Sequence, residues 1–195
     1  RATTVLKQAL KDSDPDVRVA ALHALAKIGR PQELVLDILA DTLELGDVMM
    51  RRETAAAFLE LGAKTAAKKF ETLTLAVGDE DPKVRYRVIR VLEVIGKKEA
   101  INYLNKRLWD SDSAVQVAAA SALANLIDNP IDLLKWSKQP LLKGLKHSEQ
   151  AVRQLAFQAL KVMTLKLLGI LSRISNREEY DKLAKTLANF GSDLA

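Results

Sequence analysis

The chain has no cysteine and only two histidines, and these two shortages exclude much of enzyme and metal chemistry. Without cysteine, disulfide bonds, thiolate metal sites and thiol catalysis are impossible. His23 and His147 lie far apart in sequence, so we expect no histidine-based metal centre and no catalytic triad. A glycine-rich phosphate-binding loop is also missing from the sequence. The sequence therefore predicts no catalytic residues, no bound metal and no cofactor.

Aromatic residues, glycine and long apolar runs are scarce as well. Aromatic residues make up 5% of the chain and eight of its 195 residues are glycine, which disfavours a β-sheet protein. The most apolar segment, 155–171, is interrupted by Gln158, Lys161 and Lys166, so no apolar run reaches membrane-spanning length. We expect no membrane contact and, because the lack of cysteine is compatible with a reducing compartment, a cytoplasmic protein. Since Arg1 stands where a methionine is expected, we interpret the chain as a module of a larger protein.

Helix-forming residues dominate the rest of the composition, and they recur in a repeating pattern. Hydrophobic residues make up 48% of the chain, enough for a continuous core. The repeated motif, called here the repeating phrase, is clearest at residues 14–18, Asp-Pro-Asp-Val-Arg, and at residues 81–85, Asp-Pro-Lys-Val-Arg. A leucine recurs at intervals of 31 to 37 residues, at Leu6, Leu39, Leu73, Leu104 and Leu141. The pattern predicts helix pairs, each a helix A followed by a helix B, that bury their apolar faces against their neighbours.

The alignment of the five copies predicts a role for several positions of helix B. An acid stands where helix B begins and should bind the amides of its first turn, at Asp14, Asp47, Asp81, Asp112 and Glu149. A basic residue follows one turn later and should reach the acid of a neighbouring repeat, forming a ladder, at Arg18, Arg51, Arg85 and Arg153. A buried apolar position is predicted at Leu22, Ala55, Ile89, Ala120 and Phe157. Glycine is predicted to end the helix at Gly29, Gly62 and Gly96.

A helix pair of this length, with Asp-Pro-x-Val-Arg opening helix B and Leu-x-x-Ile-Gly closing it, resembles the HEAT repeat. More narrowly, it resembles the short HEAT-like repeats of the phycobilisome lyases. The resemblance covers residues 1 to about 165. The fourth copy departs from it with Gln116 in place of arginine and Ile127 in place of glycine, and the fifth copy departs with Thr164 in place of glycine. It implies an all-α fold, an α-solenoid of about five helix pairs plus a C-terminal capping helix. The predicted limits are a solenoid at 1–175, with repeats at 1–29, 33–62, 65–96, 97–127 and 130–175, and a capping helix and tail at 176–195.

The resemblance also implies that the B helices line a concave face, so their outward positions are the candidate binding residues. In the alignment these positions are Val19, His23, Arg52, Ala56, Tyr86, Arg90, Val117, Ser121, Gln154 and Gln158. From this face and its neighbours we predict a partner-binding set of Arg52, Tyr86, Arg87, Arg90, Asn125 and Gln158. A group of arginines beside a tyrosine suits carboxylates or phosphates, because guanidinium offers a planar fork of donors and stacks on rings.

The net charge of +5 is unevenly distributed along the chain. Residues 1–129 carry 19 basic and 19 acidic side chains, whereas residues 130–175 carry eight basic and two acidic ones. The candidate basic patch is Lys135, Lys138, Lys143, Lys146 and Lys161. It is interpreted either as a solubilising face or as a surface for an anionic partner.

Three functions remain open from the sequence. The first is a non-enzymatic scaffold that binds a protein partner, with an acidic surface, along the B-helix face. The second, implied by the resemblance, is a phycobilisome-lyase-like factor that attaches or detaches a bilin. The third is a binder of the DNA backbone through the basic fifth repeat. The apolar residues within 162–174 are either covered by the C-terminal segment or meet a partner or another copy of the chain.

Overall fold

A computed structural model of the chain describes residues 2–30, 32–127 and 140–173, together with Arg177, Asp181 and Lys185. Within these residues the regular elements are helices, with no strand. The chain divides into two compact units, Arg1–Tyr103 and Leu104–Ala195. The predicted capping helix and tail fall outside the described residues, apart from the three single positions.

Unit 1 is built from pairs of A and B helices. The A helices are α1 (Ala2–Ala9), α3 (Gln32–Leu45), and a third that is divided into α5 (Ala63–Ala66), a 3₁₀ turn (Ala67–Lys69) and α6 (Phe70–Ala76). The B helices are α2 (Pro15–Ile28), α4 (Val48–Glu60) and α7 (Pro82–Ile95). Helix α2 packs on α4 and α4 packs on α7, so the B helices lie side by side. The fully buried core includes Leu22, Leu25, Leu39, Phe58, Leu73, Ile89 and Leu92.

Unit 2 continues the alternation. At the end of unit 1 a second 3₁₀ turn (Lys98–Ala100) leads into α8 (Ile101–Arg107), which crosses the boundary between the units and is followed in unit 2 by α9 (Ser113–Leu126). A short helical segment, α10 (140–144), precedes the long α11 (Gln150–Leu171). Helices α9 and α11 pack extensively against each other. The core of the unit includes Leu104, Val115, Leu123, Leu141 and Met163.

The acid that precedes each B helix caps it in four copies. Asp14 accepts a hydrogen bond from the Asp16 N–H, and Asp47 accepts one from the Met50 N–H. The carboxylates of Asp81 and Asp112 each accept two amides of the first turn. Glu149 precedes α11 without a side-chain cap bond, so the prediction is wrong there. A glutamate carries one more methylene than an aspartate, and here His147 Nδ1 accepts a bond from the backbone N–H of Glu149.

The recurring arginine has a role that the ladder hypothesis missed, because it closes its own A–B turn. Arg18 Nη1 donates to the carbonyls of Asp12 and Ser13, at 2.8 and 3.1 Å. Arg85 and Arg153 donate to the carbonyls five and six residues before them, and Arg51 donates to the carbonyl of Gly46. In the fourth copy the Gln116 amide donates to the carbonyl of Asp110 at 2.6 Å, so glutamine retains this function.

Helix termination differs between the repeats in a way that explains Lys166. Gly29 and Gly96 end α2 and α7 with φ of 59° and 74°, a left-handed conformation that favours glycine. Helix α9 ends at Ile127, which is extended and leaves carbonyls to be satisfied. The ammonium of Lys166, on α11, donates to the carbonyls of Ala124, Asn125 and Ile127 at 2.7, 3.2 and 2.8 Å. A lysine from the next B helix thus caps α9 where the glycine is missing.

Three side chains differ from the alignment's prediction of which residues are buried and which are exposed. Phe157 is 59% exposed, although the aligned residues of the other copies are fully buried. Val117 and Ser121, predicted to face outward, are 0% and 3% exposed, because α9 is covered by neighbours on more than one side. The close contact is visible at Gly144, where an added Cβ would lie 2.4 Å from Val117 Cγ2.

Helix α11 also corrects the expectation that no segment is long and apolar enough to span a membrane. The helix has 22 residues, and its most apolar stretch of 18 residues has a mean hydropathy of 1.3 and is 28% buried. By length and composition alone it could cross a bilayer, a property shared with many core helices. In this structure α11 packs along α9 and its Lys166 binds the end of that helix. The absence of membrane contact stays a prediction.

Replacing Lys166 tests the cap on α9. Lys166→Met should lower the free energy of unfolding by about 2 kcal/mol, because carbonyls at the end of α9 lose a charged donor. Urea unfolding of the full chain measures this. Lys161→Met is the control, since Lys161 lies on the same helix, is exposed, and makes no hydrogen bond or ion pair within the described residues. Equal losses of unfolding free energy in the two variants would show that Lys166 does not stabilise the end of α9.

Candidate partner-binding surface

The B helices of unit 1 bring one row of polar side chains together. His23 lies on α2, Arg52 and Glu53 lie on α4, and Arg87 and Arg90 lie on α7. Because α2 packs on α4 and α4 packs on α7, these side chains of neighbouring helices come together. We call this row, with Tyr86, the B-helix surface of unit 1.

Glu53 connects the three helices of this surface. Its Oε2 lies 3.4 Å from His23 Nε2 on α2, and its Oε1 accepts a hydrogen bond of 2.9 Å from Arg87 Nη1 on α7. Arg87 Nη1 also donates to the carbonyl of Arg52 at 2.6 Å. The hydrogen bond from Arg87 is the main reason that the pKa of Glu53 is below its ordinary value, with His23 adding to it and burial opposing it. Glu53 is therefore held as a carboxylate that fixes the position of Arg87.

Two consecutive arginines of α4 bind the acidic turn before α7. Arg51 binds Asp79 through both Nε and Nη2, at 2.8 and 3.2 Å, and also binds Glu80. Arg52 binds Asp81 with the same two-pronged geometry, while Asp81 caps α7. The hydrogen bond from Arg52 is the main cause that lowers the pKa of Asp81 to about 2, and the amide of Val84 contributes. The predicted ladder is present here, but Arg51 reaches Asp79 and Glu80 rather than the cap.

The arginines of this surface are accompanied by acids that the sequence interpretation left out. Arg90 Nη1 binds Glu93 one turn along α7, and the side chain of Glu93 is 10% exposed. The side chains of Arg52, Arg87 and Arg90 are each about one-third exposed, at 34%, 33% and 32%. Each has a carboxylate partner, so the surface is a set of fixed ion pairs and not a bare cationic cluster. The helical spacing of Arg90 and Glu93 was a signal that could have revealed one pair.

The other predicted site residues belong to unit 2 or lie outside the described residues. Asn125 is exposed at the end of α9, and Gln158 is exposed beside Phe157 on α11. Of the predicted basic patch, Lys143, Lys146 and Lys161 are exposed in unit 2. Lys135 and Lys138 lie outside the described residues. Tyr86 is half-buried on α7, beside Arg87.

No metal site accompanies these residues within the described part of the chain. Among the residues that the structure describes, no group of three or more histidines or acids could hold a metal ion. A groove along α1 and α3 has a volume of about 460 Å³ and is lined by Leu10, Lys11, Ile38, Leu45 and Met50 among others. The described surface is thus suited to binding by contact along an open face.

Removing Arg52 tests the origin of the low pKa of Asp81. Arg52→Gln should raise the pKa of Asp81 from about 2 toward its ordinary 3.8, stopping short because the amides of Lys83 and Val84 still bind it. A lowered pKa stabilises the fold fully above pH 3.8, and that stability is lost as the pH falls through about 2. The variant should therefore be less stable at neutral pH and lose less stability in acid. Carboxyl-carbon NMR titration measures the pKa directly.

Arg87→Gln is the control for this titration. It should raise the pKa of Glu53, whose main partner it removes, and leave that of Asp81 unchanged. An Asp81 titration that is the same in the Arg52 variant and the unaltered protein would show that the ion pair does not set this pKa.

Comparison with known structures identifies the fold. The complex of CpcE and CpcF of phycocyanin lyase from Nostoc sp. PCC7120 matches with a TM-score of 0.57 and 22% identity, covering 96% of this chain and 82% of that chain. A designed armadillo repeat protein in complex with the peptide (KR)4 matches with a TM-score of 0.56 and 19% identity, covering 95% and 98%. The Pds5–Scc1 complex matches with a TM-score of 0.61 and 15% identity, covering 99% of this chain and 33% of that chain. At these identities the likeness shows the fold alone.

A match to a family model identifies the family. No curated protein sequence matches the chain. A family model for HEAT repeats matches residues 1–60 and 70–161, which is most of its length. The all-α solenoid class predicted from the repeating phrase is confirmed by this match and by the structural neighbours. The chain belongs to the HEAT-repeat family.

Proposed function

We propose that the chain is a non-enzymatic scaffold that binds a protein partner along the B-helix surface of unit 1. The observation that carries the proposal is the bridge made by Glu53, which ties α2 to α7 and holds Arg87 half-exposed. Among the structural neighbours, an armadillo protein is in complex with a peptide and Pds5 is in complex with Scc1. These complexes support a partner that is itself a protein.

The geometry of the two arginines on α7 favours a partner with carboxylates. Within the described part of the chain, the hydrogen bonds of Arg87 and Arg90 come from Nη1 alone, which leaves Nε and Nη2 of each for a ligand. Those two donors form the fork that binds a carboxylate with two parallel hydrogen bonds. Because Glu53 and Glu93 already orient the guanidinium groups, little side-chain freedom is lost on binding. The proposed partner segment therefore carries acidic side chains spaced to reach both arginines.

The two other functions make different predictions. A DNA-backbone binder would use the exposed Lys143, Lys146 and Lys161, and its affinity would fall steeply as salt rises. Binding at paired arginines of unit 1 should depend more weakly on salt, since the acids of that surface neutralise much of its charge. A bilin factor is suggested by the phycocyanin lyase neighbour, and a pigment-dependent absorbance change on mixing would favour it.

The test uses a charge-neutralised double variant. The partner is isolated from host extract with the unaltered chain, and its affinity is then measured by calorimetry. Arg87→Gln with Arg90→Gln should weaken binding about tenfold or more, because two charged hydrogen-bond forks are lost. The control is Lys64→Gln with Lys83→Gln, which makes the same change in net charge at two exposed lysines of unit 1.

The control pair should bind as tightly as the unaltered chain, and circular dichroism should show that both double variants are folded. Equal weakening in the two double variants would contradict the proposed surface, since the effect would then come from net charge. No weakening in either would also contradict it.

A further inference from the structure

A small groove in unit 1 lies between the second and third A helices, α3 and α6. Its apolar lining comes from Leu43 of α3 and from Leu75 and Ala76 of α6. Leu43 is 2% exposed and Leu75 is 76% exposed, so the groove runs from the core to an apolar rim in solvent. Its volume of about 230 Å³ is below the roughly 300–1,000 Å³ of small-molecule pockets. The α3–α6 groove therefore suits one large apolar side chain.

A stripe of acids on α3 faces the third A helix and ends at this groove. Glu33, Asp37 and Glu44 follow helical spacing, which places them on one side of α3. Lys68 binds Glu33 and Lys69 binds Asp37, each at 2.5 Å. Both lysines belong to the 3₁₀ turn that precedes α6. The first two acids of the stripe are thus each paired with a lysine of the neighbouring repeat.

Glu44 is the member of the stripe that has no such lysine. Its side chain lines the groove, is exposed, and makes no ion pair or hydrogen bond within the part of the chain that the structure describes. The facing helix α6 has one charged residue, the exposed Glu71, which lies one turn before Leu75. Asp79, the other acid that lines the groove, is already bound by Arg51 through two hydrogen bonds. Glu44 is therefore the carboxylate that a ligand in the groove can reach.

We propose that the α3–α6 groove binds a basic segment of a partner protein. One large apolar side chain of the segment packs against Leu43 and Leu75, and a neighbouring lysine or arginine pairs with Glu44, as Lys68 and Lys69 pair with the acids before it. Helix α3 has four acidic and no basic residues, whereas the whole chain has a net charge of +5. The attraction for a basic segment is therefore local to these helices. This segment has the opposite charge to the one proposed for the B-helix surface.

The groove between α1 and α3 provides a matched comparison on the other side of α3. It also has an exposed leucine, Leu45, and an exposed acid of α3, Asp41. Its other wall includes Lys7 and Lys11, which are exposed and form no ion pair within the described ranges. These two cations repel a basic segment, so Asp41 and Leu45 supply the control substitutions.

The test is fluorescence anisotropy of a labelled peptide, one leucine flanked on both sides by lysines, titrated with the full chain. The unaltered chain should bind it. Glu44→Gln and Leu75→Ala should each weaken binding at least about threefold, because an ion pair or an apolar contact is lost. Asp41→Asn and Leu45→Ala should bind like the unaltered chain. Peptides with alanine in place of the leucine, or glutamate in place of the lysines, should not bind.

Three results would overturn the proposal. The first is a lysine–leucine peptide that does not bind the unaltered chain. The second is equal weakening by Glu44→Gln and Asp41→Asn, which would show attraction to α3 without a specific groove. The third is a peptide that binds equally well without its leucine or without its lysines, since the groove would then recognise charge alone or apolar surface alone. The comparison of peptides requires no change in the protein, so it decides the outcome even if a variant is unstable.

Discussion

Each helix pair of this chain buries its apolar stripe against neighbouring helices, and the other features of the structure depend on this constraint. Leu25, Phe58, Leu92 and Leu123 occupy one aligned position, and all four are fully buried. A helix pair alone has too little apolar area to offset the entropy of folding, so stability comes from stacking.

The polar residues that recur serve this stacking, and the polar residues that do not recur distinguish one repeat from another. The recurring acid caps helix B, and the recurring arginine closes the turn before it. Glu53 and Arg90 do not recur in the alignment, and they build a paired, half-exposed surface on unit 1. The candidate partner-binding surface therefore consists of residues that the scaffold does not require.

Most of the fold could be predicted from the sequence, because caps, helix ends and apolar spacing are local properties. The aspartate caps and the glycines at Gly29 and Gly96 are found where the phrase predicts them. Lys166 could not be recognised, since its partners lie about 40 residues earlier in sequence. The burial of Val117 also depends on a distant residue, Gly144, whose lack of a side chain permits the close approach. The candidate site was predicted as an arginine group, but its acidic partners required the packing of α2, α4 and α7.

The recurring arginine stabilises the fold by closing its own A–B turn, and one pair of unfolding measurements tests this role. Arg85 is 7% exposed and donates to the carbonyls of Asp79 and Glu80, whereas Lys83 is exposed on the same turn of α7. Arg85→Met should lower the free energy of unfolding in urea by about 2 kcal/mol, since the carbonyls of the turn lose a charged donor that is itself buried. Lys83→Met should leave it nearly unchanged. Equal stabilities for the two variants would contradict the account.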